Sequence, residues 1–211
     1  MPDPNSIVVQ QSSSPPAPLI LLFHGVGGNP EGLVPLGERL ARAVPSSTVV
    51  CIAGPNHSPN AGGREWFAVS GITEANRPER VAQAMPGFIA GIGEWQRCAG
   101  AAPAATTLVG FSQGGMMSLE ASVNPSFPAA RVIAIGSRFA RLPDRAPAHT
   151  SIHFVHGQDD AVIPYRHAVA AANRLRELGS DVTIDLVAGT GHRVSGEITE
   201  RAVIRLLAQR R

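Results

Sequence analysis

Near the middle of the chain one hydroxyl stands between glycines, in GFSQG from Gly110 to Gly114. The apolar run TTLVGF leads into it, and QGGMMSLEAS, of helical character, leads away. A serine at so sharp a strand-to-helix turn is held in strained backbone geometry with its hydroxyl exposed. The glycines two before and two after it are required because a Cβ at Gly110 or Gly114 would collide with neighbouring backbone. Ser112 also sits where the unpaired N–H groups of a starting helix favour developing negative charge. These features predict a nucleophilic serine.

A serine hydroxyl attacks only when a base takes its proton and a third group orients that base. At a turn of this kind the chain order is Ser, then Asp or Glu, then His. HGQDDAVIP (156–164) and GTGHRVSGE (189–197) follow Ser112 in that order. Of seven histidines, His192 is the one flanked by glycine in a loop after a final strand and before a final helix. Asp159 and Asp160 compete for the orienting role, and spacing alone does not choose between them. His149, His153 and His156 do not make a metal site, because His153 and His156 point to opposite faces of a strand. No metal and no cofactor are expected.

The negative charge that develops on an attacked carbonyl needs N–H donors. LLFHGVGGNP (21–30) places a glycine-rich turn after the first long apolar run. Its Val26 N–H and the N–H of Gln113, directly after the serine, are the expected pair of donors. A dinucleotide loop would need G-x-G-x-x-G, and Pro30 interrupts that pattern while removing an N–H.

The elements that must position these groups alternate. Strands are predicted at 18–24, 48–54, 106–111, 131–136, 151–157 and 182–187. Helices are predicted at 30–43, 78–97, from the serine to 123, at 165–179 and at 195–209. This alternation specifies an α/β fold with a mostly parallel sheet and helices on both faces. Ligands of such sheets bind at the carboxyl ends of the strands, where every candidate group above falls. Residues 1–16, rich in Pro and Ser, form an extension or an edge strand through IVV; 17–211 form one domain without a cap domain. The stretch 54–76 is a long irregular loop holding Trp66 and Phe67. Those two rings either line the acyl pocket or anchor the loop to the core.

Composition limits the alternatives. The chain has 211 residues and a formal net charge of +2, with 18 basic residues, all arginine. The arginines are scattered, which argues against nucleic-acid binding. A domain of this size buries roughly 70–75% of its surface and needs no disulfide or metal. Cys51 and Cys98 are expected as buried or half-buried free thiols. The longest apolar run is too short to span a bilayer, and the first residues lack the pattern of a secretion signal. A cytoplasmic protein, monomer or homodimer, is expected.

LLFHGVGGNP, GREWF, GFSQGG, HGQDDAVIP and GHRVSGE together resemble the phospholipase/carboxylesterase family of α/β-hydrolases, over about residues 18–208. GREWFAVSGITEANRPERV is similar to a bacterial esterase branch of that family. The resemblance implies a minimal α/β-hydrolase fold and hydrolysis of small-molecule esters without a cofactor. It places the nucleophile on Ser112, the aspartate on Asp160 rather than Asp159, the base on His192 and the oxyanion donors on Val26 and Gln113. Two departures stand out. Gly28 occupies a position that is often acidic in the family, and there is no recognisable lid insertion. Short-to-medium acyl esters are the expected substrates; thioesters or lysophospholipids with longer chains are the alternative.

Overall fold

The computed structural model describes residues 3–208 apart from 15, 60, 125, 126 and 128. Parts of three expectations, residues 1, 2 and 15 of the amino-terminal extension, 60 of the long loop and 209 of the last helix, lie outside them. The strands are β1 (Ile7–Gln10), β2 (Leu19–Phe23), β3 (Thr48–Ile52), β4 (Asn56–His57), β5 (Arg64–Glu65), β6 (Thr106–Phe111), β7 (Arg131–Ile135), β8 (Ser151–Gly157) and β9 (Val182–Val187). The helices are α1 (Val34–Ala43), α2 (Arg77–Ala99), α3 (Gln113–Ser122), α4 (Arg166–Glu177) and α5 (Gly196–Leu207).

Among the described residues, seven strands form one sheet in the order β1-β3-β2-β6-β7-β8-β9. The pairs from β3 to β9 are parallel, and β1 joins the edge antiparallel to β3. Strands covered on both faces need apolar side chains at every position, which is why LILLF in β2 and TVVCI in β3 do not alternate with polar residues. Leu19, Leu21, Phe23 and Leu108 face a core with α2, α3 and α4, whereas Ile20, Leu22, Val49 and Val109 face α1 and α5. Met116 and Met117 of α3 belong to the first of these cores.

Two details depart from expectation. The loop 54–76 contains a small antiparallel pair, β4 with β5, in which Asn56 faces Glu65 and His57 faces Arg64. Strands of two residues carry no periodicity, so no sequence pattern announces them. Cys51 is buried in β3, but Cys98 is exposed, because it lies on the solvent side of the last turn of α2.

Candidate active site

Register places the site. Phe23 is level with Gly110, and Phe111 with Ile135, so the ends of β2, β6 and β7 reach one edge together. β8 and β9 end at the same edge. Ser112 follows β6 directly and adopts φ 52°, ψ −116°, a backbone conformation rare for any residue but glycine. Its N–H donates to the Ile135 carbonyl at 2.9 Å, and its own carbonyl accepts from Ser137 Oγ at 2.7 Å. Those bonds hold the strained residue. The flanking glycines are needed as expected: a Cβ on Gly110 would lie 2.5 Å from the Gly114 carbonyl oxygen and from Gly115 Cα, and one on Gly114 would overlap the Phe23 carbonyl.

The structure brings Ser112, His192 and Asp160 together although they are 80 and 32 residues apart in pairs. His192 Nε2 lies 2.9 Å from Ser112 Oγ, and Nδ1 lies 2.7 Å from Asp160 Oδ2. The carboxylate only accepts, so Nδ1 carries the proton and Nε2 is left to accept from the serine hydroxyl. The Phe111 ring packs against the imidazole at a centroid distance of 4.9 Å, tilted by 35°. Ser112 and Asp160 are buried, at 6% and 5% exposure, and His192 is half-buried. Asp159 is exposed; it contributes its N–H to the Thr190 carbonyl at 3.0 Å, which ties the loop after β8 to the loop after β9.

Asp160 is held on both oxygens. Oδ1 accepts the N–H groups of Val162 at 2.9 Å and Ile163 at 2.8 Å. Oδ2 faces His192 and also His156 Nε2, 3.2 Å away. His156 is fully buried, and its Nε2–H donates principally to the Ile163 carbonyl at 2.7 Å. Burial pushes its pKa below the ordinary histidine value, so it is neutral and leaves the Asp160 charge to His192. His156 is not among the sequence-derived candidates, although the signal was present: it stands four residues before Asp160 in HGQDD.

Among the described residues, neither the Val26 N–H nor the Gln113 N–H meets a protein acceptor. Val26 lies in the turn after β2, which is locked by its neighbours. The His24 ring donates from Nδ1 to the Gly25 carbonyl at 2.7 Å and accepts the Gly54 N–H on Nε2 at 2.9 Å. Two opposite partners fix one neutral tautomer, and burial lowers the pKa, outweighing the Gly25 hydrogen bond, which raises it. Trp66 and Phe67 are both 5% exposed. Trp66 packs edge-on against Phe23 and Phe88, at 5.3 and 5.4 Å between centroids.

A cavity of about 700 Å³ opens beneath Trp66, between α2 and the sheet, lined among others by Phe23, Phe88, Trp95, Gly87 and Gly91. Ser112, Asp160 and His192 do not line it.

A serine whose hydroxyl meets a carboxylate-oriented imidazole has the arrangement needed to attack an acyl carbonyl, and N–H groups without an acceptor among the described residues are the kind of donor that the resulting oxyanion needs. Comparison with known proteins finds esterases among the relatives of this chain. Esterase YpfH of Escherichia coli K12 is 44% identical over 196 residues, which span 93% of this chain and 84% of that protein. Acyl-protein thioesterase 1 of Gibberella zeae is 32% identical over 101 residues, 44% of this chain and 43% of that protein. The crystal structure of esterase PE8 superposes with a TM-score of 0.87 at 26% identity, covering 96% of this chain and 97% of that one. The phospholipase/carboxylesterase family model matches residues 4–205, and the chain belongs to that family of α/β-hydrolases.

Proposed function

We propose that this hydrolase cleaves carboxylic esters of short-to-medium acyl chains through an acyl-enzyme on Ser112. The observation that carries the reading is the continuous relay from Ser112 Oγ to His192 Nε2 at 2.9 Å and from His192 Nδ1 to Asp160 at 2.7 Å. Ser112 Oγ attacks the acyl carbonyl while His192 Nε2 takes its proton. The N–H groups of Val26 and Gln113 hold the tetrahedral oxyanion. The imidazolium, stabilised by Asp160, then protonates the departing alcohol. Water repeats the sequence on the acyl-enzyme and restores Ser112.

The preference for shorter chains is supported by the small apolar surface at the site. On the segments 24–28 and 157–165, the exposed large apolar side chains are Val26, Val162 and Tyr165. A long acyl chain needs a wider apolar groove to leave water. A second reading, action on thioesters or lysophospholipids with longer chains, is favoured by the partial likeness to acyl-protein thioesterase 1. Initial rates on p-nitrophenyl butyrate, p-nitrophenyl palmitate and the matching acyl thioesters separate the two. Faster turnover of butyrate supports the first reading and faster turnover of palmitoyl thioester the second. Failure of a fluorophosphonate to modify Ser112 would remove both.

A further inference from the structure

The two N–H groups assigned to the oxyanion belong to separate elements. Val26 lies in the turn after β2, and Gln113 opens α3. Both must lie about 2.7–3.1 Å from one oxygen, so their mutual spacing matters as much as their presence. A short strap, residues 64–67, is bonded to both.

At one end the strap pairs with the β2 turn. The Gly27 N–H donates to the Arg64 carbonyl and the Arg64 N–H to the Gly28 carbonyl, each at 2.9 Å, so the pair brackets the residue after Val26. In the middle, the Trp66 indole N–H donates to the His24 carbonyl at 2.8 Å, and the same carbonyl accepts the Gly114 N–H at 3.1 Å. At the other end the strap meets Gln113 through its side chain, 4% exposed. Oε1 accepts the Trp66 N–H and Nε2 donates to the Phe67 carbonyl, both at 2.8 Å. A glutamine amide offers an acceptor and a donor at the spacing of a peptide group. Here the acceptor takes the Trp66 N–H and the donor reaches the next carbonyl, that of Phe67. Glutamate has no donor for the Phe67 carbonyl, asparagine is one methylene short, and methionine supplies neither group.

We infer that the Gln113 side-chain amide and the Trp66 indole are positioning residues that set the distance between the Val26 and Gln113 N–H groups. The inference rests on the esterase reading above. Gln113 thus acts twice, its backbone on the oxyanion and its side chain on the strap that aligns the opposite donor.

The test compares wild type with Gln113→Met, which keeps side-chain length and the backbone N–H, and with Trp66→Phe, which removes the indole donor but keeps a ring. Each is assayed for kcat and KM on p-nitrophenyl butyrate and for inhibition by an aliphatic trifluoromethyl ketone. Ser112 Oγ adds to that ketone, its proton passes to His192, and the carbonyl oxygen becomes an oxyanion in the same position. Gln113→Met is expected to lower kcat about 10- to 100-fold, less than loss of a whole donor. Trp66→Phe is expected to lower it about 3- to 10-fold, the equivalent of one neutral hydrogen bond. In both, KM stays near wild type and ketone affinity falls in proportion to kcat. A purely structural role would lower thermal stability and leave those two quantities unchanged in the folded protein. Values of kcat and ketone affinity within twofold of wild type in a folded variant overturn the inference. If Gln113→Met does not fold, Trp66→Phe decides. Absence of ester turnover by the wild type counts against the esterase reading instead, while ketone affinity still reports the donors.

Discussion

The two sides of Ser112 are assembled differently. On the side of the proposed proton relay, the groups are side chains: Asp160, His192 and the buried His156 converge from the loops after β8 and β9 and from the end of β8. On the side of the proposed oxyanion donors, the groups are backbone N–H groups, and the side chains of Gln113, Trp66 and His24 hydrogen-bond to the surrounding backbone. A side-chain function needs a particular residue at one point. A backbone function needs a network, spread here over the β2 turn, Gly54, the 64–67 strap and the head of α3.

The largest effects should fall on the proton side. Ser112→Ala is expected to lower kcat by roughly 10⁶ while the melting temperature stays near wild type. Undiminished turnover by the folded variant would end the assignment. Asp160→Asn keeps the shape but inverts the tautomer preference of His192, and should cost about 10⁴ in kcat. A loss comparable to that of Gln113→Met would erase the contrast between the two sides.

Acid should strain both sides through their buried histidines. His156 on the proton side and His24 on the oxyanion side are each pushed below the ordinary value by burial. His153 in β8, bonded through Nδ1 to Thr183 Oγ1 at 2.8 Å, is pushed down to about 4 by burial, with Arg131 and Arg205 adding to the shift and Asp181 and Asp185 opposing it. As pH falls below about 6.5 the unfolded chain takes up protons that the folded chain refuses. Stability is therefore complete above that pH and declines down to about 4, where His153 also becomes charged. His153 alone accounts for about 3 kcal/mol. Urea midpoints at pH 7.5, 6 and 4.5 measure the decline; a flat profile would mean these rings are hydrated.

The smallest effect belongs to the cavity under the oxyanion side. A Cβ on Gly91 would meet nothing within 4 Å. Gly91→Ala should gain up to about 1 kcal/mol of helix stability, or roughly 2–4 °C in melting temperature, with kcat unchanged. A drop in kcat would show that the cavity communicates with the oxyanion turn.

The same contrast explains what was legible in the sequence. TTLVGF is β6 as expected, because an apolar run ending in glycine marks both strand and turn. His192 stood out by its glycines, and the Ser-Asp-His order was visible because side-chain chemistry is written in residue types. The oxyanion scaffold was not legible. Its bonds join residues some 10 to 90 apart, as between Arg64 and Gly54 or Gly114 and His24, and no local pattern records them. Nor did Cys98 announce its exposure, since the helix that carries it, α2, mixes glycine, proline and apolar residues with little sidedness.

The left-handed conformation at position 112 also restricts which other nucleophile the scaffold could accept. A branch at Cβ is a severe outlier at φ 52°, so threonine is a poor replacement even though it carries the same hydroxyl. Cysteine, unbranched and of nearly the same size, is sterically admissible. Conversion to thiol chemistry is thus open to this elbow, and conversion to threonine chemistry is closed.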